Sequence, residues 1–232
     1  MLDQMVYRLL ALALMSLPLA LAPRVSVGQE TRIRVDFHGA PNSKPLSEPW
    51  NWLRENESGW RFSDEGLQVL IEPGNMWGPA NDAKNVLLYP LAEGWRDAVQ
   101  VSVQLTHLPK KRWEQANLVW YYSDSAMVKL GLEIEDGVTN IVMGREERDR
   151  TQTIAIIPYE DPLVQLRLKV RGQEIRGYFR KPTSSAWIEA GKTTLPEAES
   201  LPPQVSLQFY QGEQGSDRWA TVNWIEIDRG AE

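Results

Sequence analysis

Met127-Val128-Lys129-Leu130-Gly131-Leu132-Glu133 alternates apolar and polar residues with a period of two. Successive side chains of a strand point to opposite faces, so Val128, Leu130 and Leu132 face a core while Lys129 and Glu133 face away from it. The preceding run, Ala116-Asn117-Leu118-Val119-Trp120-Tyr121-Tyr122-Ser123-Asp124, puts Leu118 and Trp120 on the core side and leaves Asn117 and Tyr121 beside Lys129 and Glu133. The same period recurs in Val99 to Leu105, in Leu166 to Arg171, and, after the Gly172-Gln173 turn, in Ile175 to Arg180. Val205 to Phe209 and Ala220 to Ile227 supply strands near the C-terminus, and Gln68 to Glu72 and Asn85 to Tyr89 supply earlier ones. No stretch carries a sustained 3.6-residue apolar period; Glu146 to Arg150 reads as a solvated loop and Leu195 to Pro203 as a Pro-rich connection. Short strands separated by Gly, Pro, Asn and Asp turns predict an all-β fold, an antiparallel sandwich or barrel in which each sheet has a dry and a wet side.

The N-terminus reads differently. Arg8 closes a short basic region, Leu9 to Ala22 is almost wholly apolar, and Ser26-Val27-Gly28 places small residues where a signal peptidase cuts. Residues 1–28 are therefore expected to be a signal peptide, and residues 29–232 a single secreted or periplasmic domain that needs no membrane after cleavage. An uncleaved anchor is the alternative. The chain has no cysteine, so a hydrophobic core rather than disulfides must hold the fold. Net charge is −6, and removing Asp3, Arg8 and Arg24 with the leader leaves about −7. Lys110-Lys111-Arg112 is the one basic cluster, which disfavours nucleic acid as a partner. All ten tryptophans lie after the leader; Trp50, Trp52, Trp120 and Trp224 are assigned to the core or its edge.

Several ordered segments resemble one family. They are Trp50-Asn51-Trp52-Leu53-Arg54-Glu55-Asn56 followed by Gly66-Leu67-Gln68-Val69, then Asn85-Val86-Leu87-Leu88, then the Ala116–Asp124 and Val128–Glu133 hairpin. Leu166-Arg167-Leu168 through Gly177-Tyr178-Phe179 and Trp187 follow, and Thr221-Val222-Asn223-Trp224-Ile225-Glu226-Ile227 closes the series. The pattern resembles the concanavalin A-like C-terminal sandwich domain of family 43 β-xylosidases and arabinofuranosidases, and its stand-alone relatives labelled enolase-regulation proteins. Asn117 stands where that pattern has Gly. The resemblance implies a two-sheet antiparallel jelly-roll β-sandwich of the concanavalin A-like lectin/glucanase type, associated with polysaccharides. It does not imply catalysis, because the hydrolytic carboxylates of those xylosidases sit on a separate propeller domain, for which no counterpart is expected in this chain.

Tests for chemistry leave few candidates. His38 and His107, the two histidines, have no metal-ligand spacing, and neither a G-x-S-x-G elbow nor a phosphate loop occurs. No cofactor is expected; a structural calcium on loop-end carboxylates is conceivable. Glu133 and Glu135 share a strand face, as do Glu226 and Asp228, but both pairs read as solvated charges rather than the paired carboxylates of a glycosidase. No catalytic residue is assigned. The wet face offers a better case: if their strands are neighbours, Tyr121, Lys129, Glu133, Arg167 and Tyr178, with Asn117, form one polar-aromatic patch. Such a patch suits a polysaccharide or oligosaccharide, whose C–H faces pack on rings while its hydroxyls take hydrogen bonds. Trp77, set among turn residues, is the loop candidate for the same ligand. A glycan-binding module leads; a glycoside-cleaving enzyme and a purely structural or protein-interaction sandwich stay open.

Overall fold

The computed structural model describes residues 32–38, 46, 48–95, 98–198 and 201–230; the expected leader, residues 1–28, lies outside them. Strands dominate. The first are β1 (Arg32–Asp36), β2 (Asn51–Leu53), β3 (Trp60–Ser63), β4 (Gly66–Leu70), β5 (Val86–Pro90), β6 (Ala98–Thr106) and β7 (Gln115–Ser123). They are followed by β8 (Ala126–Glu135), β9 (Val138–Glu147), β10 (Arg150–Pro158) and β11 (Leu163–Arg171). The last are β12 (Glu174–Arg180), β13 (Ile188–Thr194), β14 (Gln204–Tyr210) and β15 (Trp219–Arg229). Among the described residues no helix is long and apolar enough to cross a membrane.

Two sheets form, and every strand pairing is antiparallel. The eight-stranded sheet runs β13-β12-β11-β6-β15-β4-β3 with β1 beside β15, and the seven-stranded sheet runs β10-β9-β8-β7-β14-β5-β2. Their inner faces share one core, in which Leu207, Leu118 and Leu130 stand on one rung of the seven-stranded sheet. Opposite them Leu166 pairs with Val103 and Leu168 with Val101. Each such burial contributes about 1.5–3 kcal/mol. The expected alternating strands and the two-sheet sandwich are present.

Three expectations need correction. Glu146 to Arg150 is not a solvated loop: β9 and β10 form a hairpin through Arg148 and Asp149, both left-handed at φ 52° and 60°, as a type I′ turn requires. Glu146 is fully buried there. Trp224 is not core, because a bulge in β15 between Val222 and Trp224 inserts one residue. Val222 and Ile225 both point inward, and the indole is left on the outer face under Arg34, 4.5 Å away. The third concerns the wet side of the seven-stranded sheet, which is largely dry. Met76 and Ala83, from residues 71–85 between β4 and β5, form a second apolar cluster with Val86, Leu88, Val119, Tyr121, Met127 and Tyr210. The Lys129 side of β8 is therefore buried almost as fully as the Leu130 side.

A buried ion pair ties two loops at one end of the sandwich. Glu114, fully buried, meets Arg218 at 2.9 Å and takes the Lys111 amide at 3.2 Å. His107 lies 3.5 Å from Glu114, but burial, reinforced by Arg218, pushes its pKa down to about 3, so the ring is neutral. Among the described residues Arg218 is the one charged partner of the Glu114 carboxylate, and it also lies 3.6 Å from Glu213. Arg218→Leu leaves a buried unpaired charge and is expected to cost about 3 kcal/mol, read as a lowered urea midpoint; a wild-type midpoint would contradict this.

Candidate functional site

Residues 71–85 are pinned across the outer face of the seven-stranded sheet. Arg54, just past β2 and left-handed at φ 56°, donates from Nε to the Ala83 carbonyl at 2.7 Å and pairs with Asp124 at 2.8 Å. Tyr121 donates its hydroxyl to the same Asp124 at 2.8 Å. Burial first, then that hydrogen bond, raises the phenol's pKa, which keeps it a donor. At the far end the Asn56 amide donates to Asn85 Oδ1 at 2.8 Å, and its side chain donates to Glu72 at 2.9 Å. Within the segment Asn75 Oδ1 accepts from the Met76 and Trp77 amides, so a local turn aims Met76 at the sheet and carries Trp77 over it.

Trp77 becomes one wall of a cleft of about 410 Å³. Its ring lies on β9 where Gly144 has no side chain; a Cβ there would stand 2.5 Å from Trp77 Cη2. The floor follows the register. One rung runs Ile156, Val142, Gly131, Asn117, Gln208 across five strands. A second rung, two residues along, runs Asn140, Glu133, Gln115, Tyr210. Gly131 is obligatory, because a Cβ would fall 2.3 Å from Asn117 Oδ1. Trp113 also lines the cleft; it is 47% exposed and left-handed at φ 67°, a conformation that costs a bulky residue about 1–3 kcal/mol. Its indole N–H donates to Glu135 at 3.1 Å, and Arg112 stacks on the ring at 4.6 Å. Asn75, Thr153 and Gln211 complete the lining.

Electrostatically the cleft is acidic. Lys129 is its one cation among the described lining residues, and the ammonium is already committed. It donates to Gln115 at 2.7 Å and to Glu133 at 2.9 Å, and it lies 4.5 Å from the Trp77 ring centroid. Beneath Trp77, Glu146 takes the Gly78 amide at 3.1 Å on one oxygen only. Burial pushes its pKa up to about 7, aided by Asp149 and Asp124 and opposed by the Gly78 hydrogen bond and by Lys129. Five buried polar atoms on this sheet face have no hydrogen-bond partner among the described residues: Asn117 Oδ1, Ser206 Oγ, Gln208 Oε1, Tyr210 OH and Glu146 Oε1. Each unmet group costs about 1–3 kcal/mol. No group of three or more His, Asp or Glu side chains suited to a metal occurs among the described residues.

The expected patch is thus divided. Lys129, Glu133 and Trp77 meet in the cleft. Asn117 is fully buried in β7, outside the cleft lining, and donates to Gln115, and Tyr121 is covered by residues 71–85. Arg167 and Tyr178 are on the other sheet, because β11 and β12 pair with β6 rather than with β8. Sequence reasoning missed Trp113, Gln115 and Glu146. Trp113 follows the Lys110-Lys111-Arg112 run, Gln115 sits at a strand end, and Glu146 is among charges.

The raised pKa of Glu146 has a thermodynamic signature. Between its ordinary value of 4.5 and about 7 the folded chain holds a proton that the unfolded chain has released. Its contribution therefore falls as pH rises through that window. Glu146→Gln removes the slope: it should gain about 1–2 kcal/mol over wild type at pH 8 and little at pH 4, measured by urea unfolding. An equal difference at both pH values would contradict this.

Comparison with known proteins places the sandwich. Residues 35–228 match the model of the β-xylosidase C-terminal concanavalin A-like domain. The GH43 protein BlXynB from Bacillus licheniformis superposes with a TM-score of 0.73 at 18% identity, over 89% of this chain and 40% of its own. The xylan β-1,4-xylosidase from Bacillus halodurans C-125 gives 0.71 at 15%, over 84% of this chain and 39% of its own. This chain thus spans about two-fifths of those proteins. A functionally unknown protein from Saccharomyces cerevisiae gives 0.52 at 14%, over 77% of this chain and 92% of its own, and so has stand-alone proportions. Curated proteins yield no match. The chain belongs to the family of β-xylosidase C-terminal concanavalin A-like domains, carbohydrate-associated β-sandwich modules.

Proposed function

We propose that the chain is a non-catalytic glycan-binding module, acting outside the cytoplasm, whose cleft takes an uncharged oligosaccharide. The observation that carries this reading is the pair of tryptophans, Trp77 and Trp113, lining one cleft together with polar side chains. Sugar C–H faces pack on such rings, and Asn75, Gln115, Thr153 and Gln211 in the lining supply polar groups for its hydroxyls. Charge favours a neutral ligand. Glu133 and Glu135 line the cleft, and Lys129 is already engaged, so an incoming carboxylate or sulfate would meet like charge. The N-terminal leader pattern supports export.

Catalysis is the less supported reading. Glu133 is tied to Lys129, Glu135 is tied to Trp113 and Arg112, and Glu146, despite its raised pKa, is closed off beneath residues 71–85. None is placed as a free acid or base within reach of a substrate.

The matched xylan β-1,4-xylosidase makes β-1,4-xylo-oligosaccharides the first probe, with gluco- and manno-oligosaccharides beside them. Calorimetry should give dissociation constants in the micromolar-to-millimolar range and no release of reducing ends. Trp77→Ala and Trp113→Ala should each weaken binding at least about tenfold, or 1.4 kcal/mol. No binding across neutral glycans would refute the reading. Reducing-end release that Glu133→Gln abolishes would replace it with hydrolysis.

A further inference from the structure

The outer face of the eight-stranded sheet carries the opposite charge to the cleft. Outward side chains of β11 and β12 include Arg167, Lys169, Arg171, Arg176 and Arg180, against the single carboxylate Glu174. This cationic surface belongs to a chain of net charge −6. Register sets Arg167 opposite Tyr178 and Arg180 opposite Gln165, so the two arginines stand on a diagonal of adjacent strands. Trp187, from the connection between β12 and β13, packs against both, with guanidinium carbons 3.8 Å and 4.3 Å from its ring.

Neither arginine has a carboxylate partner among the described residues. Arg167 Nε donates to Ser102 Oγ at 2.9 Å; Arg180 donates to Gln165 Oε1 at 2.6 Å and to the Ser185 carbonyl at 3.2 Å. Of the neighbouring acids, Glu226 pairs with Arg32 and Arg34, while Glu174 and Glu189 pair with Arg176; Glu226 and Asp228 act on Arg167 only through space, without an ion pair to it among the described residues. Two like charges are thus held on one ring, half out of water. Burial and the proximity of Arg180 both lower the pKa of Arg167. An anion arriving between them relieves that repulsion. The Nη1 and Nη2 groups of Arg167 have no acceptor among the described residues, and a stacked planar guanidinium presents them as a fork that fits a carboxylate. Beside this pair a groove of about 400 Å³ continues along Lys169, Arg171, Glu174, Arg176 and Tyr178.

We propose that this face is a second glycan site, for a carboxylate-bearing polysaccharide that Arg167 and Arg180 grip over Trp187. Uronate rings carry both features the surface asks for, a flat C–H face for Tyr178, which stands opposite Arg167 in the register, and a planar anion for the arginines that Trp187 holds. The site is independent of the cleft, which lies on the other sheet.

The test is affinity electrophoresis and calorimetry of the full chain with polygalacturonate and with its methyl-esterified, uncharged form. The free acid should bind at least tenfold more tightly than the ester, and the difference should shrink as salt is raised and charges are screened. Arg167→Gln should reduce binding to the level of the ester. Arg180→Lys, which keeps the charge and the fold but loses the fork, should weaken it several-fold. Arg148→Gln, an exposed arginine in the β9–β10 turn, should leave it unchanged. Equal binding of acid and ester, or full binding by both Arg167→Gln and Arg180→Lys, would overturn the proposal.

Discussion

Arg54 and Asp124 hold residues 71–85 against the outer face of the seven-stranded sheet, and the cleft depends on that attachment. Arg54 lies in the Arg54-Glu55-Asn56 segment just past β2; Asp124 follows β7. One guanidinium therefore reaches the Ala83 carbonyl, the Asp124 carboxylate and, through it, the Tyr121 hydroxyl. Asn56 secures the other end through Asn85 and Glu72. Between these anchors Met76 and Ala83 are pressed into a second apolar cluster, and Trp77 is carried to the position where Gly144 makes room for it. The pair is part-exposed, so its value lies less in Coulomb energy than in geometry: it turns a flat sheet face into a walled recess.

That covering changes the meaning of the polar residues beneath it. On an open sheet Lys129 and Glu133 would be a weak cross-face pair in water. Here Lys129 is boxed by Gln115, Glu133 and Trp77, and Glu146 is buried deeply enough to favour its proton. The two outer faces consequently differ in sign and shape. One is an acidic recess between tryptophans, and the other is a broad cationic surface on which arginines stack against Trp187, Trp219 and Trp224. A single sandwich thus presents two chemically distinct surfaces.

Much of this was legible in the sequence, for reasons that also explain the failures. Period-two alternation depends only on backbone geometry, so Val128, Leu130, Leu132, Leu166 and Leu168 were correctly placed inside, and Lys129 and Arg167 on opposite sides from them. Alternation says nothing about which strands are neighbours. The chain inserts β14 between β7 and β5 and docks β11 on β6, so Arg167 and Tyr178 moved to the other sheet. A one-residue bulge at Asn223 turned Trp224 outward, and no composition rule reports such a bulge. Trp77 was visible because an indole among turn residues needs a tertiary partner. Trp113 was not, since its cleft-facing position comes from a left-handed backbone next to a basic run. Glu146 was concealed because the segment that buries it lies 68 residues away in the chain.

The central claim is that the tryptophan-walled recess on the seven-stranded sheet receives a neutral saccharide. Nitrogen-15 indole labelling offers the most direct test, since each of the ten tryptophans gives its own N–H resonance. Titration with β-1,4-xylo-oligosaccharides and other neutral oligosaccharides should shift the resonances of Trp77 and Trp113 while leaving those of the buried Trp50 and Trp120 in place. Shifts confined to Trp187, Trp219 and Trp224, or no shifts with any neutral sugar, would contradict the account.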